Sequence, residues 1–346
     1  MPSTSRPTVP LGTTGMQITR VGFGAWAIGG GGWTFAWGDQ DDDASVAAIR
    51  HAVEAGVNWV DTAAVYGLGH SEEVVARALG GLPEADRPYV FTKCGLVWDE
   101  ADRRRAPRRV GDPTSLRTEV EASLRRLGVE RIDLYQMHWP AEDGTPLEAY
   151  WGTLCDLRTE GKVAAVGLSN HDAGQLERAE AIGHVDTLQP PLSLIERTAA
   201  AEAIPWCAAH STGVIVYSPM QSGLLTGTFS EARAAALPED DWRSRSPDFT
   251  GEGLLANLAL ADALGPVARR HGTTPAAVAV AWTLAVPGVT GAIVGARSPE
   301  QVDGWVGAGE LVLDAADLAE LDAALAASGS GRGPVLRLGA APEARS

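Results

Sequence analysis

Eight short apolar runs, beginning near residues 21, 57, 89, 131, 163, 185, 213 and 289, constrain this chain more than any other feature. Most are followed by a stretch with apolar residues at helical spacing. Continuous apolar runs suit strands buried on both faces. Eight such strands alternating with helices is the count that closes a parallel sheet into a (β/α)8 TIM barrel. No repeat of fixed period and no linker divides the 346 residues, so they are read as a single domain, 1–346.

Local signals fill in the frame. The segment 11–20, LGTTGMQITR, has a Gly-bearing turn between apolar ends and predicts an N-terminal hairpin. Val46, Ile49 and Val53 form a helical stripe stopped by Gly56. The best-marked helix has Asp112 or Thr114 as cap, Pro113 in its first turn, Leu116, Val120, Leu124 and Leu127 on one face, and Gly128 at its end. Residues 219–256 carry Gly, Pro, Ser and charge without a long period and read as a large loop. Helices are expected near 257–271 and 275–285, with extra C-terminal ones from 298 and over 315–326. The Gly/Ser/Pro-rich tail, 328–346, is expected to be disordered.

Charge narrows the function. A formal net charge of −16 and a pI near 4.8 leave no basic face for nucleic acid or an anionic membrane surface. Cys94, Cys155 and Cys207 are odd in number and widely spaced, which suits reduced thiols in a cytoplasmic protein and offers no metal-ligand spacing. There is no secretory leader pattern at the N-terminus, and Pro287 and Gly288 break the longest apolar stretch short of a membrane span.

Chemistry collects at the C-terminal ends of three consecutive strands. Asp61 ends WVD, with Tyr66 in the loop beyond; Lys93 ends YVFTK; His138 ends IDLYQMH. Each alone reads as a cap, loop packing or a polar strand end. Together they sit where a parallel barrel converges its side chains. A lysine there needs an acid partner, and Asp61 on the next strand supplies it. An ammonium about 4 Å from a phenol interacts at about 4 kcal/mol at an effective dielectric near 20, which predicts a Tyr66 pKa drawn about three units down. Gly22-x-Gly24-x-x-Ala27 matches a loose dinucleotide fingerprint, but no helix opens there, and a close-packed strand end is the reading adopted.

Asp61, Tyr66, Lys93 and His138, in this order and spacing, resemble the catalytic tetrad of the aldo-keto reductases, NADP(H)-dependent (β/α)8 barrels. The resemblance runs from LGTTGMQITRVGFGAW to QVDGW at 301–305. It implies an NADPH-dependent oxidoreductase that reduces an aldehyde or ketone, a sugar among the candidates, with Tyr66 as general acid. It further implies that Ser169, Asn170 and Gln189 hold the nicotinamide carboxamide and that Tyr217 stacks on its ring. Ser218, Pro219, Met220, Gln221 and Gly223 match the pyrophosphate loop. Gly295, Arg297, Ser298 and Gln301 match the clamp on the adenosine 2′-phosphate. Gly304-Trp305 departs from the family's adenine contact, leaving Trp305 or Asp303 for that place.

Trp26, Trp33, Trp37, Trp98 and Trp139 follow strand ends, as ordinary packing or as an aromatic wall for the substrate. Arg103, Arg104, Arg105, Arg108 and Arg109 cluster after Lys93, as a solvated loop or as an attractor of anions. Two other readings compete. One is a non-catalytic NADPH-binding regulatory protein on the same barrel. The other is a Schiff-base enzyme through Lys93, which an acid partner disfavours.

Overall fold

The computed structural model describes residues 5–238 and 241–338. The chain opens with the hairpin β1 (Thr8–Pro10) and β2 (Gln17–Thr19). Then come β3 (Val21–Gly24), helix α1 (Asp42–Glu54), β4 (Trp59–Asp61), α2 (His70–Leu79) and β5 (Tyr89–Cys94). A ribbon, β6 (Leu96–Val97) and β7 (Arg108–Arg109), precedes α3 (Pro113–Leu127) and β8 (Ile132–Met137). The alternation continues with α4 (Leu147–Thr159), β9 (Val163–Ser169), α5 (Ala173–Glu180), β10 (Thr187–Gln189), α6 (Ala203–His210) and β11 (Gly213–Val216). Helices α7 (Glu231–Ala235), α8 (Gly251–Arg270) and α9 (Pro275–Ala285) lead to β12 (Gly291–Gly295), α10 (Pro299–Asp303) and α11 (Ala315–Ser328).

The eight expected strands form one closed parallel barrel, β3-β4-β5-β8-β9-β10-β11-β12, with β12 returning to β3. Its interior is filled by Trp59, Phe91, Leu134, Ala165, Ile215 and Ile293. Leu11, Met16 and Ile18 of the hairpin join that cluster, so the hairpin plugs the N-terminal end of the barrel. Full burial of each such aliphatic or phenyl side chain contributes about 1.5–3 kcal/mol. Gly22 is explained here: a Cβ on it would stand 2.2 Å from the Trp59 indole. The glycine pattern after the first strand is a packing device, and the close-packed reading holds.

Helix α3 has the expected ends, with the Asp112 carboxylate accepting from Ser115 N and Gly128 in the left-handed region. The loop expected over 219–256 is more structured than its composition suggests. It contains 3-10 turns at Gln221–Thr226, Trp242–Arg245 and Pro247–Phe249 as well as α7, and α8 begins at Gly251 rather than near 257. Gly251 and Gly253 mask that start by lowering helix propensity. The tail expected to be disordered from 328 lies outside the described residues from 339. Over 330–334 it is docked: Arg332 N donates to Ile195 O at 2.8 Å, and Arg332 O accepts from Arg197 N at 3.0 Å. No helix among the described residues is long and apolar enough to cross a membrane.

Candidate active site

Strand register brings the four residues together. Gly24 pairs with Asp61, Asp61 with Phe91, and Lys93 with Gln136, so Asp61 and Lys93 lie on adjacent strands at the same end of the barrel. Lys93 Nζ donates to Asp61 Oδ1 at 2.5 Å and to Thr62 O at 2.9 Å, and lies 3.5 Å from the Tyr66 hydroxyl. Gln189 Nε2 donates to Asp61 Oδ2 at 2.8 Å, so the carboxylate is held from both sides. The His138 ring stands edge-on to Tyr66, with centroids 5.7 Å apart. Gly67 sets the loop that carries Tyr66. Its φ is +63°, and a Cβ there would reach 2.0 Å from Gly29 O.

Asp61 and Lys93 are 2% and 1% exposed, so burial dominates their electrostatics. It raises the Asp61 carboxyl and lowers the Lys93 ammonium, and their mutual attraction opposes both shifts. Burial, then the field of Asp61, pushes the Tyr66 phenol well above its ordinary value. The expected depression of Tyr66 is therefore corrected. Lys93 is compensated by a carboxylate at 2.5 Å, so the hydroxyl beside it meets a neutral pair in a buried place. Burial, then the charges of Lys93 and Arg109, drives His138 well below the usual imidazole range, leaving it neutral.

These residues stand at one end of a cleft of about 940 Å³. Asp61, Tyr66 and His138 line it, while Lys93 lies behind Asp61. Ser169, Asn170, Gln189 and Tyr217 line the adjoining wall and are cross-linked. Tyr217 OH donates to Asn170 Oδ1 at 2.8 Å, Asn170 Nδ2 donates to His138 O at 3.0 Å, and Ser169 Oγ donates to Gln189 O at 2.8 Å. Ser218, Pro219, Met220 and Gly223 continue the wall, and Gly295, Arg297 and Gln301 form its far end. Asn170, Ser218, Gln221 and Ser222 all have positive φ, costly for non-glycine residues and typical of ligand-binding loops.

Three expected contacts are not brought to the cleft wall. Gln221 is turned under its loop, accepting from Ser193 Oγ at 2.8 Å and donating to Asp248 Oδ2 at 2.7 Å. Ser298 is the N-cap residue of α10 and does not line the cleft. Trp98 lies outside it too, its indole donating to Glu100 at 2.9 Å. Arg297 lines the cleft but is engaged by the chain itself. Its guanidinium donates to Gln40 Oε1 and Asp39 O, and to Trp37 O at 3.2 Å. Gln40 Nε2 returns a bond to Arg297 O at 3.1 Å.

Trp26, Trp33, Trp37 and Trp139 line the cleft as the aromatic-wall reading expects. Sequence reasoning missed Trp242, which stacks on Trp26 at 5.7 Å, and Arg243, whose guanidinium lies 4.5 Å over Trp37. An aromatic residue inside an otherwise polar loop, DDWRSRS, was the available signal. The indole N–H groups of Trp37, Trp242 and Trp305 are buried along this cleft without an acceptor among the described residues. Each such donor costs about 1–3 kcal/mol unless a ligand oxygen meets it. A dinucleotide, with amide, hydroxyl and phosphate oxygens, fits that need.

The aldo/keto reductase family model matches residues 20–326. The chain belongs to the aldo/keto reductase family. Among similar proteins, the NADH-specific methylglyoxal reductase of Escherichia coli (strain K12) is 36% identical over 322 residues, 89% of this chain and 95% of the relative. The aldo-keto reductase YhdN of Bacillus subtilis (strain 168) is 34% identical over 294 residues, 85% of this chain and 86% of the relative. The solved structure of a glycerol dehydrogenase from Gluconobacter oxydans aligns at TM-score 0.84 with 38% identity, covering 96% of this chain and 98% of that one. As an aldo/keto reductase, the chain is an oxidoreductase acting on small carbonyl compounds with a nicotinamide cofactor.

Proposed function

We propose that this aldo/keto reductase reduces the carbonyl of a small aldehyde or ketone to the alcohol, with Tyr66 as the proton donor. The observation that carries the reading is the Tyr66 hydroxyl 3.5 Å from Lys93 Nζ, itself bonded to buried Asp61, at the end of the cleft. A reduced nicotinamide dinucleotide, when bound, supplies the hydride. Ser169, Asn170, Gln189 and Tyr217 would hold its nicotinamide end, the 218–223 loop its pyrophosphate, and Gly295, Arg297 and Gln301 its adenosine end.

The chain's own residues manage the proton. A phenol with a raised pKa stays protonated, which is the form a donor needs. As negative charge develops on the substrate oxygen, that oxygen becomes a stronger base than a phenolate and takes the Tyr66 proton. The phenolate left behind faces Lys93, which Asp61 keeps charged. Neutral His138, whose ring nitrogens have no partner among the described residues, donates an N–H to the same substrate oxygen. Lys93 is a poor Schiff-base nucleophile here, buried and bonded to Asp61 and Thr62.

Tyr66→Phe is expected to lower kcat at least about a hundredfold while nucleotide binding, read by quenching of the cleft tryptophans, stays near that of the unaltered chain. Retention of most of kcat overturns the mechanism. A non-catalytic nucleotide-binding protein would show the quenching and no turnover in either form.

The choice of nucleotide has two readings. NADPH is supported by Arg297 at the adenosine end of the cleft. NADH is supported by the engagement of that guanidinium with residues 37–40, and a relative 36% identical is named NADH-specific. The dissociation constants of NADPH and NADH, measured side by side, decide between them.

A further inference from the structure

The barrel interior carries two polar side chains, Gln136 on β8 and Thr187 on β10, in a place that packing alone would fill with apolar ones. Both are wholly buried. Side chains alternate along a strand, so Leu134, Gln136 and His138 share the inward face of β8. Register sets Gln136 beside Lys93 of β5. Gly167 on β9 leaves room for the two: a Cβ there would stand 2.1 Å from Thr187 Oγ1 and 3.2 Å from Gln136 Cγ. Thr187 Oγ1 donates to Gln136 Oε1 at 3.5 Å, which leaves Nε2 as the free end of the amide. Nε2 has no acceptor within hydrogen-bond distance among the described residues. Asp61 nonetheless feels it. Burial raises the Asp61 carboxyl, and the groups that oppose that rise are Lys93, then the Gln189 and Gln136 amides. The Gln136 amide therefore faces Asp61 from just beyond bonding distance. A buried N–H without an acceptor weakens the fold, and an apolar side chain in the same space carries no such penalty. Nothing in the free chain offsets that penalty.

We propose that Gln136 is a positioning residue held in reserve for Asp61, its amide closing onto the carboxylate when Lys93 is drawn toward the Tyr66 phenolate. The inference rests on the proton-donor reading of Tyr66 above. In the free chain Asp61 is fully engaged, by Lys93 Nζ at 2.5 Å on Oδ1 and by Gln189 Nε2 at 2.8 Å on Oδ2. When the Tyr66 proton passes to the substrate oxygen, a negative charge stays on the phenolate, whose oxygen lies 3.5 Å from Lys93 Nζ. One ammonium then stands between two anions. As it shortens its contact with Tyr66 it loosens its contact with Asp61, and a buried carboxylate is left short of a donor. The Gln136 N–H supplies that donor from inside the barrel, with no water needed. A bond made only as charge develops stabilises the transition state and not the bound ground state, so it raises kcat and leaves binding unchanged.

The test compares the unaltered full chain with Gln136→Met, which keeps the length of the side chain and removes the donor, and with Thr187→Val, which keeps the shape and removes the anchor. Reduction of 4-nitrobenzaldehyde is followed with saturating NADPH or NADH, together with urea unfolding of the free chain. Gln136→Met is expected to lower kcat about tenfold or more, with KM and the nucleotide dissociation constant within about twofold of the unaltered values. The solvent deuterium isotope effect on kcat should rise, because the proton step is the one slowed, and the urea midpoint should stay level or rise. Thr187→Val should lower kcat in the same direction by less. An unchanged kcat in Gln136→Met overturns the inference. So does a lower urea midpoint or a failure to fold, since Gln136 would then already be bonded in the free chain. A loss shared between kcat, KM and nucleotide binding overturns it as well, because that is the mark of a distorted cleft. If Tyr66→Phe keeps its kcat, the proton-donor reading itself fails. An inactive Tyr66→Phe beside an unaffected Gln136→Met sinks only the role given to Gln136.

Discussion

In the proposed reaction Tyr66 acts as a phenol whose acidity is released only when charge appears on the substrate. Its pKa is raised by burial and by Asp61, and that of His138 is lowered by burial and by Lys93 and Arg109. Neither group then changes protonation between about pH 6 and 9, against reference values near 10 and 6.5. The kcat/KM for reduction is expected to be flat across that window; a bell centred near neutrality would show that one of the two titrates there. A second titration bears on stability. His171 is 3% exposed, its Nδ1 bonded to Ser169 O and its Nε2 to Tyr150 OH, and burial lowers its pKa from 6.5 to about 4. Below pH 6.5 the unfolded chain takes up a proton that the folded chain refuses, so stability falls as pH drops from 6.5 toward 4. By pH 5 the loss is about 2 kcal/mol. Urea unfolding at pH 7.5 and 5.0 should show His171→Gln losing less than the unaltered chain by about that amount. Equal losses would mean that His171 is already protonated in the folded state.

Among the elements, the segments that could be read from the sequence are those whose pattern is local. The barrel strands are apolar because both faces are buried, and α3 carries its cap, proline and stop within its own length. The ribbon β6–β7 was not legible, because two-residue strands have no period and Arg108–Arg109 looks like any charged loop. Nor was the Gln40–Arg297 clasp, whose partners are 257 residues apart. The clasp ties the loop after β3 to the segment just before α10, at the end of the cleft proposed to take the adenosine. In the proposed binding mode an NADPH 2′-phosphate would compete with Gln40 for one guanidinium, whereas NADH would leave the clasp intact. Gln40→Ala is therefore expected to tighten NADPH about five- to tenfold, about 1–1.4 kcal/mol, with NADH little changed. Equal shifts for both nucleotides in a fluorescence titration would show that the clasp does not select between them.

At the scale of the whole molecule, the described part of the C-terminal segment is bonded to residues that do not line the cleft, one of which holds a cleft loop from behind. Arg332 pairs with Glu196 and with Asp248, Ser330 Oγ bonds Asn257 at 2.5 Å, and Pro334 O accepts from buried Arg197 at 3.0 Å. Asp248 in turn accepts from Gln221, whose other end is held by Ser193. Gln221 was expected at the pyrophosphate; its position shows that it braces that loop from beneath. This arrangement is invisible in a Gly/Ser/Pro-rich sequence, because each bond is made to a residue far away in the chain. Ending the chain after Gly329 removes the whole set. Five or six hydrogen bonds at about 0.5–1.5 kcal/mol each predict a loss of several kcal/mol in urea unfolding. The more discriminating readout is the nucleotide dissociation constant. If the tail holds the 218–223 loop through Asp248 and Gln221, truncation should weaken binding about three- to tenfold, about 0.7–1.4 kcal/mol. Gln221→Ala in the full chain should reproduce that weakening with a smaller cost in stability. A truncated chain that binds nucleotide as tightly as the full one would reduce the tail to a brace on the barrel wall.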